Sequence, residues 1–405
     1  MQGQTSPRYH ALDSLRAVMM LLGIYLHVAC AYGTLKDTWW YQDSRQSPVF
    51  DYILMAVHLF RMPVFYVMAG FFAALLYTRR GTVAFLKNRA SRILAPFFLA
   101  MLAFFPILTG MQRISRGWTY ARTWDWLIAG QFLKWLHPMH LWFLWYLALL
   151  YVIAIVVLVR SRRAGFSWVE YWFRRAVRAE WAPAIFAVPA FGCLLLMQYG
   201  LLDTPHEFVP QWHLLFTYAY FFGFGWALYL SADLLARFGR HAWRNTLIAA
   251  VLTACNLVFL MRQVAVMPKR DWIGFAGAAA TGALAAWFVI FGVTGLFLRY
   301  LDRPIPAMRY LSDSAYWMFL FHPVPVLALN IVFSSLAWSP FVKMGVILAI
   351  TSVIVLATYH YGVRSTWIGV LLNGRRYERK TPSNSPEPRT ASKPERKPFA
   401  MDSLY

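Results

Sequence analysis

The stretch LDSLRAVMMLLGIYLHVACAYG, Leu12 to Gly33, decides what kind of protein this chain is. It is long and apolar enough to cross a bilayer, which takes about 20 residues of helix. Yet it carries Arg16 near one end and His27 eleven positions later. Eleven positions make about three full turns, so both side chains share one face and lie about 16 Å apart along the axis. An ionisable group inside a membrane helix costs about 2.5–3.5 kcal/mol, so the pair indicates a functional site.

The composition of the whole chain agrees with a membrane protein. Of 405 residues, 60% are hydrophobic and only 14% are charged. A soluble domain carries about 25% charged residues, and a chain this apolar cannot hide its side chains in one water-soluble core. Inside lipid the backbone must satisfy its own hydrogen bonds, so the spanning segments are helices. We therefore predict an all-α, polytopic integral membrane protein.

Ten apolar stretches are long enough to be transmembrane helices. They cover about 12–33, 51–78, 90–111, 140–160, 182–202, 212–232, 245–262, 272–298, 313–336 and 340–362. The first stretch is predicted to be a retained span and not a cleaved signal, because its apolar part is too long for a signal core. The shortest stretch, 245–262, gives the weakest signal.

The net charge of +22 is distributed unevenly between the two sides of this predicted bundle. If the N-terminus is cytoplasmic, 27 of the 39 Lys and Arg residues lie on the cytoplasmic side, nine lie on the other side and three lie inside spans. This positive-inside bias predicts that both termini are cytoplasmic. The basic charge is therefore expected to contact membrane lipids, and nucleic acid is not expected as a partner.

Two regions are predicted along the chain. Residues 1–372 form the membrane domain. Residues 373–405 form a basic cytoplasmic tail rich in Pro, Ser, Lys and Arg, which cannot bury enough apolar surface to fold and is predicted to be disordered.

Each ionisable residue within the spans has a structural and a functional interpretation. Arg16 can extend to the inner headgroups beside Asp13, and His27 can make an interhelical hydrogen bond without chemistry. His58 and Arg61 are three apart on the second span and share a face. They can form an internal ion pair that fixes packing, or an anion site in a wet cavity.

Arg89 and Arg92 lie one turn apart where the third span begins at the cytoplasmic face. Such residues often only flank a span. As a pair, however, two guanidinium groups suit phosphate, which arginine binds in a planar fork.

Polar and aromatic residues recur near the outer face. His140 and Trp142 open the fourth span, where the plain interpretation is an aromatic anchor at the headgroup level. His322 lies in the ninth span and is followed by Pro323 and Pro325, so the helix is predicted to bend there and its freed carbonyls can line a cavity.

Other chemistry is absent from the sequence. There is no HExxH, P-loop, GxGxxG or GxSxG motif, and no pair of carboxylates within a span. His137 and His140 are one turn apart but lack a nearby carboxylate, so no metal site is predicted. What remains is arginine, which binds anions, and histidine, which can take a proton from a hydroxyl at neutral pH.

Arg-x10-His in the first span and Arg-x-x-Arg at the start of the third resemble the type 3 membrane acyltransferases. Five stretches carry the resemblance in order, over about residues 10–365: ALDSLRAVMMLLGIYLH, HLFRMPVFYVMAGFF, RASRILAPFF, HLWFLWYLALLY and YWMFLFHPVPVL. The resemblance implies about ten spans in a bacterial inner membrane and transfer of acyl groups to exported carbohydrates.

The resemblance also implies roles for matching residues. His27 is expected to be the catalytic histidine, with Arg16 supporting the acyl donor. Arg89 and Arg92 are expected to hold the phosphates of cytoplasmic acyl-CoA, the co-substrate. From the residues themselves, and not from the resemblance, a second set is assigned to the acyl or acceptor pocket: His58, Arg61, His140, Trp142 and His322. Within it, His58 and Arg61 could hold the distal carboxylate of a succinyl donor.

The expected reaction is O-acyl transfer to hydroxyls of periplasmic glucan, from succinyl-CoA ahead of acetyl-CoA, with no bound cofactor. O-acetylation of another exported glycan or of a lipid-linked saccharide is the alternative within the class. A membrane transporter or flippase and a non-catalytic scaffold remain alternatives of other classes.

Overall fold

The computed structural model describes residues 9–36, 39–161, 167–266, 269–374 and 376–377. Within these ranges the regular structure is helical and no strand occurs, which confirms the all-α prediction. Most of the predicted basic tail, from residue 378 onward, lies outside the described residues.

The described helices are numbered in chain order. The first seven are α1 (His10–Ala29), α2 (Pro48–Arg89), α3 (Ala95–Ser115), α4 (Tyr120–Ile128), α5 (Trp142–Ser161), α6 (Ser167–Arg178) and α7 (Ala182–Leu194). The others are α8 (Trp212–Leu230), α9 (Ala242–Ala265), α10 (Trp272–Tyr300), α11 (Pro306–Phe321), α12 (Pro323–Val332), α13 (Pro340–Thr358) and α14 (Trp367–Asn373). Wider π-helical turns follow α2 at Ala90–Leu94 and α13 at Tyr359–Val363, and tight 3₁₀ turns lie at Gln131–Trp135, Met139–Leu141 and Ala232–Gly239.

Six helical stretches in the described chain are long and apolar enough to cross a membrane, and two bent pairs raise the number to eight. The six are His10–Ala29, Pro48–Ser115, Met139–Arg160, Ala242–Ala265, Trp272–Tyr300 and Pro340–Val363. The bent pairs are Trp212–Leu230 with Ala232–Gly239, at 104°, and Pro306–Phe321 with Pro323–Val332, at 59°. The number and length of these apolar helices indicate a membrane protein. The stretch 245–262, which gave the weakest signal in the sequence, lies within the candidate span Ala242–Ala265.

Two stretches differ from the sequence prediction in their extent. The stretch Pro48–Ser115 is one 68-residue helical run, which would measure about 100 Å against a hydrocarbon core of about 30 Å. It is interrupted at Gly81, whose φ of +73° is open to glycine and strained for other residues. The predicted span 182–202 is a helix of only 13 residues that ends at Leu194, where the chain turns.

Close backbone contact joins α2 and α8 at the centre of the bundle. A methyl group at Gly70 would overlap the carbonyl of Phe222, and one at Gly225 would overlap the carbonyl of Val67. Small residues at a membrane helix interface allow such approach, and association there depends on packing because lipid tails are as apolar as leucine. These two glycines therefore fix where α2 crosses α8.

The first span lies in the interior of the bundle. α1 packs against α2, α10, α11, α12 and α13. Arg16 donates to the Oγ of Ser312 at 2.7 Å, in the middle of α11, and His27 contacts His322 just beyond its end. The two contacts are separated by eleven residues on one helix and ten on the other, so α1 and α11 run parallel and in register.

A buried ion pair closes the bundle beyond the end of α1. Lys343 Nζ lies 2.8 Å from Asp43 Oδ2, and both side chains are only 1% exposed. Asp43 also accepts hydrogen bonds from the hydroxyl of Tyr41 and the backbone N–H of Arg45. Because these bonds satisfy the carboxylate, the pair pins the loop between α1 and α2 to α13.

We expect Lys343→Met to destabilise the protein by about 3–5 kcal/mol, because it leaves the Asp43 carboxylate buried without its cation. Thermal unfolding of the detergent-solubilised chain measures the loss. The double variant Asp43→Asn, Lys343→Met should recover most of it, since both charges are then gone and the amide oxygen remains as an acceptor for the donors of Tyr41 and Arg45. A single variant as stable as the wild type would contradict a buried pair.

Candidate active site

Five of the predicted pocket and catalytic residues line one small cavity in the membrane region: His27, Arg61, His140, Trp142 and His322. Its volume is about 40 Å³, enough for water but not for a substrate. The rest of the lining is Met20, Gly23, Met62, Phe65, Phe143 and Phe319. Residues from α1, α2, α5, α11 and the turn before α5 therefore meet here.

The bend between α11 and α12 orients the ring of His322. Pro323 has no N–H, so the carbonyl of Phe319 loses its usual helical partner. The Nδ1 atom of His322 lies 2.8 Å from the carbonyl oxygen of Met318 and 3.0 Å from that of Phe319. Because a carbonyl can only accept, Nδ1 carries the proton and Nε2 of the neutral ring is an acceptor. The predicted bend is confirmed, and its freed carbonyl fixes the tautomer of His322.

The state of His27 follows from that of His322. Nδ1 of His27 lies 2.5 Å from Nε2 of His322. Since Nε2 of His322 accepts, Nδ1 of neutral His27 must donate, and Nε2 of His27 keeps a free lone pair. The chain of contacts from the carbonyls of α11 through His322 to His27 therefore leaves Nε2 of His27 unprotonated, with its lone pair free to accept a proton. The sequence did not identify this orienting partner.

His140 is held by the same bend. Its Nε2 atom lies 3.2 Å from the carbonyl of Leu320, and its Nδ1 atom is buried without a hydrogen-bond partner. Met139, just before it, has a φ of +46°, which is uncommon for a residue with a side chain and stores strain of order 1–3 kcal/mol. The strained backbone at Met139 therefore holds His140 in the cavity lining, with its Nδ1 atom as an acceptor that has no hydrogen-bond partner.

Arg61 brings a positive charge to this cavity. Its Nε atom is buried without a hydrogen-bond partner, and none of the described carboxylates forms an ion pair with it. The guanidinium lies against Gly23, where a methyl group would collide with Nη1. Gly23 is four residues before His27, so it shares a helix face with the base and leaves room for the cation beside it.

Two tryptophans in the loop after α1 cover His27. The ring of Trp39 stacks on that of His27 with centroids 4.5 Å apart, and Trp40 stacks on Trp39 at 4.6 Å. Trp40 also lies edge-on to His140, with ring centroids 6.5 Å apart. Sequence reasoning missed both residues, although adjacent tryptophans in a short loop after a histidine-bearing span were the available signal.

His58, assigned from the sequence to the same pocket, lies outside the residues that line this cavity. Its Nε2 atom is 2.7 Å from the carbonyl of Leu202, so it ties α2 to the segment that follows α7. Its neighbour Arg61, three residues on, does reach the cavity.

The three remaining predicted residues lie outside this cavity. Arg16 contacts Ser312, and the carbonyl of Arg92 accepts from the hydroxyl of Tyr316 at 2.7 Å. Arg89 stacks over the ring of Tyr151, 5.4 Å from its centroid. Ser312 and Tyr316 are one turn apart in the middle of α11, so Arg16 and the backbone of Arg92 contact the same face of this helix, while Arg89 contacts α5 through Tyr151.

The distance between these two groups follows from α11 itself. Ser312 precedes His322 by ten residues, which is about 15 Å of helix. This agrees with the spacing of about 16 Å predicted along α1. Arg16 also keeps its predicted structural contact, since Nη2 lies 3.6 Å from Asp13.

Three groups that line this cavity could take part in a reaction: the free Nε2 of His27, the guanidinium of Arg61 and the unpaired Nδ1 of His140. His27 can take a proton from a hydroxyl, and Arg61 can stabilise an oxygen that gains negative charge. This combination suits acyl transfer to an alcohol.

Comparison with known proteins agrees with this chemistry. Residues 9–360 match the family model described as an acyltransferase domain, so the chain belongs to this family of acyltransferases. It is similar to the glucans biosynthesis protein C of Salmonella agona and of Salmonella dublin, each 26% identical over 343 residues. These residues cover 80% of this chain and 83% of each relative. No solved structure matches the chain.

We expect Gly23→Ala to lower the rate of acyl transfer by about tenfold or more, because the new methyl group displaces the guanidinium of Arg61. The fold should survive, since the displaced atoms are the end of a flexible side chain. Initial rates and melting temperature of the purified protein measure the two effects. Gly345→Ala is the control, because its methyl group would meet open space. An unchanged rate in Gly23→Ala would contradict the role of Arg61.

Proposed function

We propose that this protein is a bacterial inner-membrane O-acyltransferase that transfers a succinyl group, ahead of acetyl, from cytoplasmic acyl-CoA to hydroxyls of periplasmic glucan. The observation that carries the proposal is the contact between His27 and His322, backed by the carbonyls of α11, in a cavity that Arg61 also lines. The glucan acceptor is supported by the names of the similar Salmonella proteins.

The reaction proceeds by direct transfer in this proposal. Nε2 of His27 takes the proton of a sugar hydroxyl as its oxygen attacks the thioester carbonyl. The imidazolium formed is stabilised by its hydrogen bond to His322. Arg61 stabilises the carbonyl oxygen as it becomes negative. The C–S bond then breaks, the ester forms, and the CoA thiolate takes up the proton from His27.

The donor approaches from the side of Arg16, Arg89 and Arg92. Arg89 and Arg92 hold the phosphates of CoA, and Arg16 lies beside the acyl arm as it enters. The span of about 15 Å from Ser312 to His322 is comparable to an extended pantetheine arm. The acyl group can therefore reach His27 while the nucleotide stays near the membrane surface.

Succinyl is favoured over acetyl because of Arg61. A buried cation with no ion pair to a described carboxylate binds an anion favourably, and a succinyl group brings a carboxylate of its own. With an acetyl donor, Arg61 would stabilise only the carbonyl oxygen of the thioester as it becomes negative, because acetyl has no carboxylate. His58 then has a supporting role, since it holds α2 in place through Leu202.

The proposed topology has ten crossings and both termini in the cytoplasm. It divides the long stretch Pro48–Ser115 into two spans on either side of Gly81 and counts Ala182–Leu194 as a short tenth. The positive-inside distribution of Lys and Arg supports this orientation.

The function is tested with the full chain in liposomes, succinyl-CoA or acetyl-CoA, and purified glucan. Mass spectrometry of the product identifies the acyl group. We expect His27→Ala to lower the rate by about 10²–10⁴-fold, as for loss of a general base. His322→Ala should also lose most activity, and His322→Gln should recover part of it because the amide offers an acceptor oxygen to His27.

The matched control is His360→Ala. His360 contacts Tyr310 near the cytoplasmic end and lies outside the cavity, so the rate should not change. Glucan-dependent release of CoA that persists in His27→Ala would remove His27 from catalysis. Uptake of labelled glucan without acylation would favour a transporter.

The donor assignment predicts a kinetic split. Arg89→Gln with Arg92→Gln should raise KM for acyl-CoA about tenfold or more and leave kcat within about twofold, because phosphate contacts are the same in the ground and transition states. The control is Arg299→Gln with Arg303→Gln, two exposed arginines at the end of α10 and just after it. An unchanged KM in the first variant would refute the assignment.

A further inference from the structure

A second cavity, of about 370 Å³, lies between the end of α6, α7, α9, α10 and the turn Ala232–Gly239. Its size falls in the range of small-molecule sites. Its lining comprises Val177, Arg178, Ala179, Glu180, Ala182, Pro183, Arg237, Phe238, Arg240, His241, Asn245 and Phe291. None of these residues belongs to the cavity of His27 or to the group of Arg16, Arg89 and Arg92.

The rim of this cavity is strongly basic. Arg178, Arg237 and Arg240 are exposed and line it. The only carboxylate in its lining is Glu180, whose Oε1 accepts from Nη1 of Arg244 at 2.8 Å. Glu180 is therefore already paired, and none of the three lining arginines forms an ion pair with a described carboxylate. Nη2 of Arg237 donates to the carbonyl of Arg178 at 3.3 Å.

The N-terminus of α9 adds to this positive field. α9 has 24 residues, and His241 before it makes no side-chain capping hydrogen bond. The first N–H groups of a helix lack intrahelical partners and carry about half a positive charge. Burial, with Arg244 and Arg240 nearby, lowers the pKa of His241, so the ring is neutral at pH 7 and the charge of the rim comes from arginine.

An independent observation points to a ligand. Asn245 lines the cavity, is only 4% exposed, and its Oδ1 has no hydrogen-bond partner. A buried polar atom left unsatisfied costs about 1–3 kcal/mol. The carboxamide has both donors and an acceptor, and it can turn to offer either side to a molecule in the cavity.

We propose that this cavity binds the phosphate group of a ligand at the membrane surface. The arginines supply planar forks for phosphate oxygens. Asn245 supplies an amide donor when its carboxamide is turned so that Nδ2 takes the place of the unpaired Oδ1. Buried Phe238 and Phe291 form an apolar floor for carbon atoms attached to the phosphate. The phosphate can belong to a lipid headgroup or to a soluble ion, and the site is independent of the proposed acyl transfer.

The test is native mass spectrometry of the full chain in neutral detergent. One arm adds phosphatidylglycerol, a second adds inorganic phosphate, and a third adds diacylglycerol with the same acyl chains. We expect one phosphate-bearing ligand per chain and no specific retention of diacylglycerol. Arg237→Gln with Arg240→Gln should weaken that binding about tenfold or more, because hydrogen bonds to charged groups are lost. Asn245→Asp, which is isosteric but repels anions, should weaken it similarly.

The matched control is Arg303→Gln with Arg309→Gln, which removes two exposed arginines outside the cavity. Loss in the cavity variants but not in this control, with phosphatidylglycerol alone, assigns the site to lipid. The same pattern with inorganic phosphate assigns it to a soluble phosphate. Equal binding by wild type and cavity variants, or equal loss in the control, overturns the proposal. None of these binding measurements depends on acyl-transfer activity. Failure of this proposal can therefore be distinguished from failure of the proposed enzymatic function.

Discussion

The bend at His322 is the constraint on which the candidate active site depends. A proline directly after the histidine removes one backbone hydrogen bond, and in a membrane the freed carbonyl must find another donor. The imidazole of His322 is that donor, which leaves its other nitrogen as an acceptor for His27. The carbonyl of Leu320 in the same bend receives His140. The bend between α11 and α12 therefore orients the rings of His322 and His140, and through His322 it sets the tautomer of His27.

The surroundings of these rings cover them and place a positive charge beside them. The loop after α1 places Trp39 on His27, and the buried pair of Asp43 and Lys343 pins that loop to α13. Beneath it, Gly23 leaves space for the guanidinium of Arg61. In such a low-dielectric site a cation without a carboxylate acts strongly on any oxygen that becomes negative. The ion pair that stabilises this loop therefore also keeps Trp39 stacked on His27 at the cavity.

Two separate groups of arginines lie outside the cavity that His27 lines. Arg16 and the backbone of Arg92 contact α11 and Arg89 contacts α5, and Ser312 lies about 15 Å of helix from His322. The arginines around the start of α9 form a different basic cavity with its own unsatisfied amide. Part of the positive charge of the chain is therefore concentrated in these two groups of arginines.

The sequence by itself determined the class of the fold and predicted several of the residues that line the candidate site. Composition and apolar runs required membrane helices, and the spacing of Arg16 and His27 placed a cation and a base on one face. The proline after His322 predicted the bend. These inferences succeed because they rest on the helical period, on the absence of a proline N–H and on the cost of charge in lipid, all of which are local.

Only the tertiary structure decided which of these residues meet. His27 and His322 are 295 positions apart, and no local period relates them. His58 and Arg61 share a helix face, yet one binds Leu202 and the other lines the cavity. Two helical stretches also differ in length from the spans predicted from the apolar runs: Pro48–Ser115 is longer, and the helix that ends at Leu194 is shorter. Long-range contacts depend on how helices pack, and packing is set by small residues such as Gly70 and Gly225, whose partners a single sequence does not reveal.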